Sequence, residues 1–234
     1  MTNEKRVIDK WVNYFPFYEA HFSKYVGQSV TMLEIGVQNG GSLQMWQRFF
    51  GPFAKIIGID IQDSCKDLEQ PGIFIRIGDA RDKNFLQSVL DEFGIPDIVL
   101  DDGAHRPDTI LKPFQYLYPK MHKNSIYMVE DLQCSYWPEV GGASKDNPET
   151  FVNVTKNLID LLYADNTRGA VKPNKFTRET KGIHIYDGII CLEKGDIFRK
   201  ETFMTGQKFN EGLSKKHNVE QHKIKMDQQR SNLF

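Results

Sequence analysis

Two short acidic clusters carry the chemistry in this sequence. Asp101-Asp102-Gly103-Ala104-His105 closes an apolar run over 97–103, and Glu130-Asp131 closes another over 125–132. If both runs are strands of one parallel sheet, these carboxylates meet on one edge. Gathered there, they repel one another and raise each other's pKa unless a cation is present. A hard divalent ion such as Mg²⁺ takes one or two carboxylates together with water and substrate oxygens. His105 lies three residues past Asp102, in a turn. Its neutral imidazole is placed to take a proton from a hydroxyl whose pKa a neighbouring metal has lowered. Either pair alone has a plainer reading, with Asp101 and Asp102 capping the next helix and Glu130 and Asp131 solvated. His184 falls within a β run and reads as a satisfied core residue, His122, His217 and His222 read as surface positions, and His21 is ambiguous.

A second constellation precedes the first. In VTMLEIGVQNGGSLQMW, residues 30–46, an apolar run ends at Glu34 and passes into Gly36, Gly40 and Gly41. Glycines at the carboxyl end of a strand let backbone approach a ligand closely. The spacing is not G-x-G-x-x-G, so no pyrophosphate cradle is expected, and a ligand without phosphates such as S-adenosylmethionine fits. An ordinary tight turn is the alternative. The run KIIGIDI over 55–61 ends in Asp60, where an acidic side chain accepts from ribose hydroxyls. The run IFIRIGD ends at Asp79, which either bonds an adenine amine or shares with Asp82 the capping of the helix that follows.

Strand-like runs alternating with segments of helical length predict βαβ units and a mostly parallel sheet with helices on both faces. Leu43, Trp46 and Phe50 recur at helical spacing and belong to the core. A helix is predicted to start near Pro107, and the N-terminal stretch VIDKWVNYFPFYEAHFSKYV is amphipathic with a break at Pro16. After the fifth strand, CSYWPEVGGASKDNPE has the length and composition of a lid or a disordered connection, with Tyr136 and Trp137 either stacking on a ring or holding the loop to the core. GIHIYDGIICLEK reads as a hairpin turning at Asp187-Gly188, which adds a final antiparallel strand.

The 234 residues suffice for one substantial core. Thirty basic against 31 acidic residues leave no electrostatic footprint for nucleic acid. The N-terminus lacks a signal-peptide core and no apolar stretch is long enough to span a bilayer, so no membrane association is expected. Cys65, Cys134 and Cys191 are odd in number and lack metal spacing, as suits reduced thiols in a cytoplasm. Three parts are expected: a helical cap over 1–29, a nucleotide-binding domain over 30–194, and a basic tail over 195–234. From Lys194 onward there are nine Lys and Arg against five Asp and Glu. A homo-oligomer is left open.

LEIGVQNGGSLQMW, GIDI, GDARD, DIVLDDGAH, YMVEDLQCSYW and IHIYDGIICLEK resemble the class I S-adenosylmethionine-dependent, Mg²⁺-dependent O-methyltransferases that modify sugars of macrolides, the mycinamicin and macrocin type. The resemblance runs over residues 9–194. It implies a Rossmann-like, seven-stranded α/β fold, Asp102 and Asp131 as Mg²⁺ ligands and His105 as the base. Glu19, in FYEAHF, is implied as a further ligand. On this reading Glu34, Gly36, Gly41 and Ser42 shape the methionine and ribose end of the cofactor, Asp60 takes the ribose diol, Asp79 lies near adenine, and Asp101 adjoins the cofactor. The expected activity is methyl transfer to a sugar hydroxyl of a glycan or glycosylated metabolite. The acceptor stays open, because members differ in whether a longer N-terminal region helps build the sugar pocket. Two alternatives are carried forward: a metal-dependent hydroxylase on a similar scaffold, disfavoured by a single histidine in the cluster, and a cofactor-binding protein without turnover.

Overall fold

A computed structural model describes residues 6–142 and 145–195, with positions 197, 203 and 205. The chain divides into units Met1–Ile197 and Phe198–Phe234, and the fold below is that of the first. Nearly all of the basic tail expected over 195–234 lies outside the described residues.

Seven strands form one sheet in the order β3-β2-β1-β4-β5-β7-β6. They are β1 (Thr31–Ile35), β2 (Lys55–Asp60), β3 (Ile73–Ile77), β4 (Ile98–Asp101), β5 (Ile126–Val129), β6 (Thr180–Ile185) and β7 (Ile190–Lys194). The first five pair in parallel, while β7 enters antiparallel between β5 and β6. The final antiparallel strand is therefore present, slotted inside the edge. The helices are α1 (Phe15–Phe22), α2 (Gly41–Phe50), α3 (Lys83–Phe93), α4 (Pro107–Leu117), α5 (Phe151–Tyr163) and α6 (Lys175–Glu179). Pro16 does not break a helix; it sits in the first turn of α1, where its missing N–H costs nothing.

Strand residues alternate between two cores, as a pleated sheet buried on both faces requires. Met32, Ile56, Ile98 and Met128 pack with Tyr14, Tyr18, Phe22, Trp46 and Phe50 on the face covered by α1 and α2. Leu33, Ile57, Val99 and Tyr127 pack with Leu86, Ile110, Phe114 and Phe151 on the face of α3, α4 and α5. The ring of Tyr18 meets Trp46 edge-on at 4.9 Å, which ties α1 to α2. This alternation decides where each acidic residue at a strand end points. Glu34 and Glu130 continue the parity of Met32 and Met128 toward α1, whereas Asp101 continues that of Val99 toward Tyr127.

Candidate active site

A cleft of about 880 Å³ opens at the carboxyl ends of β1, β2, β3, β4 and β5, where ligands of open α/β sheets bind. Its floor includes Gly36, Gly41, Ser42, Asp60, Asp79, Asp102, His105 and Asp131, and residues 7–11 with Tyr14 and Trp137 form a wall. Two glycines are dictated by close approach. Gly36 adopts φ +98°, and a Cβ there would lie 2.3 Å from the carbonyl oxygen of Asp102; a Cβ on Gly41 would lie 2.1 Å from that of Val7. The loop is thus clamped between the end of β4 and the N-terminal segment. Within it, one Asp60 oxygen accepts the backbone N–H groups of Val37 (2.8 Å) and Gln38 (3.2 Å), and the other accepts that of Gln62 (2.9 Å). Burial raises the pKa of Asp60, but these N–H groups outweigh it and hold the carboxyl below its ordinary value. The carboxylate is thereby fixed at the end of β2, lining the cleft.

Asp102, His105 and Asp131 converge, with one ligand atom from each lying within 4.8 Å of the others. His105 Nε2 is 3.4 Å from Asp131 Oδ2 and 3.9 Å from Asp102 Oδ1. His105 and Asp131 both hold left-handed backbone, at φ +54° and +53°. For non-glycine residues that conformation costs of order 1–3 kcal/mol, and it gathers at functional sites.

The remaining oxygen of each aspartate is anchored by residues that no local pattern reveals. Lys10 Nζ donates to Asp102 Oδ2 at 2.5 Å, and Tyr14 OH donates to Asp131 Oδ1 at 2.7 Å. Each carboxylate is left with one oxygen facing His105. Lys10, whose side chain is only 2% exposed, also donates to Glu130 Oε2 at 2.8 Å and Glu34 Oε1 at 3.5 Å. Tyr18 OH closes the group on Glu130 Oε1 at 2.5 Å. Burial pushes the Glu34 carboxyl up to about 7 and that of Glu130 to about 8, although Lys10 pulls both down. Asp102 is also raised by burial against the pull of Lys10. The lysine's own pKa lies well above the ordinary value, because the three carboxylates overcome the opposing effect of burial.

Three residues expected at the site, Glu19, Glu34 and Asp101, do not line the cleft, and a fourth, Asp79, lines it with its carboxylate already engaged. Glu19 is exposed on the outer side of α1 and does not line the cleft, since Tyr14, Tyr18, His21 and Phe22 form the buried stripe of that segment. The same segment does serve the acidic cluster, through Lys10 and Tyr14. Asp101 is buried on the α4 face, accepting from Tyr127 OH at 3.4 Å, and burial pushes its carboxyl up to about 7; it is neither a cap nor a cleft residue. Glu34 is completely buried beneath the loop, where Ser42 Oγ donates to it at 3.0 Å, so it supports the cleft from below. Asp79 does line the cleft, but both its oxygens accept from Arg81, which also reaches Asp108 at 2.9 Å. Asp82 caps α3 through the N–H of Asn84. In the segment after β5, Trp137 borders the cleft and Tyr136 is half exposed.

The strand order, the clamped glycine loop and the acid at the end of β2 define the Rossmann-like class I methyltransferase fold. A solved structure with that fold is the MycE methyltransferase from the mycinamycin biosynthetic pathway in complex with Mg, SAH and mycinamycin VI. It matches with a TM-score of 0.72 and 34% identity over 78% of this chain and 49% of that one. Among curated proteins, the 8-demethyl-8-alpha-L-rhamnosyl tetracenomycin-C 2'-O-methyltransferase of Streptomyces olivaceus is 36% identical over 80% of this chain and 52% of its own length. The mycinamicin VI 2''-O-methyltransferase of Micromonospora griseorubida is 34% identical over 77% of this chain and 47% of its own. The resemblance carried by the motifs thus extends across the whole domain, to sugar O-methyltransferases. The chain spans about half the length of the curated relatives it matches. No protein-family model matches it. No helix among the described residues is long and apolar enough to cross a membrane.

Proposed function

We propose that this chain is an S-adenosylmethionine-dependent, Mg²⁺-dependent O-methyltransferase acting on a sugar hydroxyl of a glycan or glycosylated small molecule. The observation that carries the reading is the meeting of Asp102 Oδ1, Asp131 Oδ2 and His105 Nε2 beside a glycine loop that a Cβ would block. The donor set fits a hard cation. Two aspartates, each with one oxygen already held by Lys10 or Tyr14, would offer single oxygens, which suits the small Mg²⁺ shell completed by water and substrate. The cleft also fits the cofactor. Asp60 lines the cleft as an ionised acceptor suited to a ribose hydroxyl, and Gly36, Gly41 and Ser42 leave the cofactor's methionine end room along the loop. The Asp79–Arg81 pair stands where adenine is expected, so that carboxylate would serve the amine only if Arg81 shares it.

When bound, the cofactor supplies an electrophilic sulfonium methyl and the metal lowers the pKa of an acceptor hydroxyl. The protein's part is to orient and to take the proton. His105 Nε2 accepts it from the hydroxyl, and the Asp131 and Asp102 carboxylates beside it stabilise the imidazolium that forms. Lys10 and Tyr14 keep those carboxylates from rotating, so that positioning and preorganised charge supply most of the effect. The two-Asp, one-His set also differs from the two-His, one-carboxylate pattern of iron hydroxylases.

Calorimetric titration of S-adenosylhomocysteine, with Mg²⁺ and then with chelator, tests the reading. Micromolar binding that survives chelation is expected, because the Asp60 loop and the Asp102–Asp131 pair are separate parts of the cleft. No binding in either condition would return the glycine loop to an ordinary turn.

A further inference from the structure

A second set of ligating side chains lies outside the cleft. His21 on α1, His184 on β6 and Glu193 on β7 bring one ligand atom each to within 4.8 Å of one another. None of them lines the cleft. The register sets them toward the far end of the sheet, since Glu193 pairs with Ile126, the first residue of β5. Parity on the hairpin explains the pairing of two members. Gly182 stands opposite Glu193 and His184 opposite Cys191, so the His184 and Glu193 side chains share a face and lie diagonally. His184 Nε2 is 3.2 Å from Glu193 Oε2. The absence of a side chain at position 182 leaves that ring its place, for a Cβ there would stand 3.3 Å from His184 Nε2.

The third member comes from a different layer. His21 is 6% exposed, and its ring meets that of His184 edge-on with centroids 4.6 Å apart. Burial and the neighbouring His184 ring both lower its pKa, which favours the neutral, ligating form of the imidazole. Its Nε2 contacts Tyr186 OH, a neutral partner, at 2.9 Å. Two ammonium groups compete for the carboxylate, Lys24 at 3.5 Å and Lys181 at 3.9 Å, but both are exposed and at the outer limit of ion pairing. His184 is about one-third exposed, which leaves an approach from solvent.

We infer that His21, His184 and Glu193 form a second metal site, selective for a borderline divalent cation such as Zn²⁺, Co²⁺ or Ni²⁺. Two imidazoles and one carboxylate suit these ions, and Mg²⁺, which prefers oxygen, is poorly served by them. The ion would join α1 to the last hairpin, two elements separated by more than 150 residues of chain. Because α1 begins just after Tyr14 and the hairpin turn lies beside it, metal at this site would stabilise the wall of the cleft without entering it.

Co²⁺ titration followed by its visible absorption, in protein held in millimolar Mg²⁺, tests the inference. The Mg²⁺ occupies the oxygen-rich cluster, and His105→Ala removes the imidazole that could divert Co²⁺ there. One equivalent is expected to bind in both the wild-type chain and His105→Ala, with an increase in melting temperature. His184→Ala is expected to abolish that binding, and Glu193→Gln, which preserves side-chain shape, to weaken it at least tenfold. Absence of binding by the wild-type chain would overturn the inference. So would wild-type affinity in either His184→Ala or Glu193→Gln.

Discussion

Replacing Lys10 with Met keeps the apolar stem and deletes the ammonium that faces Asp102, Glu130 and Glu34 at 2.5, 2.8 and 3.5 Å. Removing one partner of a buried ion pair costs roughly 3–5 kcal/mol, because the other is left uncompensated. Against a whole-domain stability of about 5–15 kcal/mol, that is a large fraction. For a domain of this size each kcal/mol shifts the melting temperature by roughly 2–4 °C, so a fall of about 6–20 °C is expected. The loss depends on pH in a definite direction. With Lys10 present, Glu34 ionises only near 7 and Glu130 near 8; without it both rise further. The unfolded chain ionises such groups near their ordinary value of 4.5. From there upward the folded variant holds more protons than the unfolded one, and stability falls as pH rises. Circular-dichroism melts in chelator at pH 6 and pH 8 should therefore show the larger deficit at pH 8. A deficit below about 3 °C at both pH values would refute the assignment of Lys10 as the buried counter-ion, as would a larger deficit at pH 6.

Three further outcomes follow from the geometry. His105→Ala should lower turnover by about a hundredfold to ten-thousandfold in a methyl-transfer assay, and leave S-adenosylhomocysteine affinity within about twofold by calorimetry. Tyr14→Phe removes the shorter of two hydrogen bonds on Asp131 Oδ1, leaving that from Gln133 Nε2 at 3.1 Å, and should weaken Mn²⁺ binding, read by electron paramagnetic resonance, by about ten- to a hundredfold, as losses of supporting hydrogen bonds around metal ligands do. Asp101 is held protonated by burial up to about 7 against an ordinary 3.8, so it withdraws stability as pH rises through that window, by at most about 4 kcal/mol. Asp101→Asn keeps the shape and should flatten the stability profile between pH 4 and 7 in denaturant melts; an unchanged slope would show that Asp101 does not titrate there.

The motifs legible in the sequence are those that a strand end makes local. Gly36, Asp60, Asp102, His105 and Asp131 each follow an apolar run, and the parallel sheet delivers them to one cleft. Lys10, Tyr14 and Tyr18 were not legible, because their partners lie 92, 117 and 112 residues away and an isolated Lys or Tyr carries no pattern. Glu19 had a signal that decides against it. Tyr14, Tyr18 and Phe22 recur every four residues, so the next position around the helix turns toward water. Asp101 illustrates the period of two: one residue from Asp102, it points through the sheet to the opposite core, where Tyr127 OH donates to it. Arg81 shows the limit of reading an acid by its place alone, since it lies two residues past Asp79 and takes up that carboxylate.

The hairpin between β6 and β7 sets the order in which the cleft can mature. The carbonyl of Gly188, in its turn, accepts the N–H of Leu132, next to Asp131, and a Cβ on Gly188 would lie 2.3 Å from Tyr14 OH. The seat of Tyr14 is thus built partly from residues synthesised more than 170 positions later. As the chain emerges from a ribosome, β1, β4 and β5 can pair while Asp131 still lacks its final support. With β7 paired to β5, Tyr14, Leu132 and the turn come together beside Asp131. A chain stopped before that hairpin would hold most of the sheet and the glycine loop, yet lack the turn that seats Tyr14 and Leu132 beside Asp131. The last hairpin thus joins the N-terminal wall of the cleft to the segment that carries Asp131.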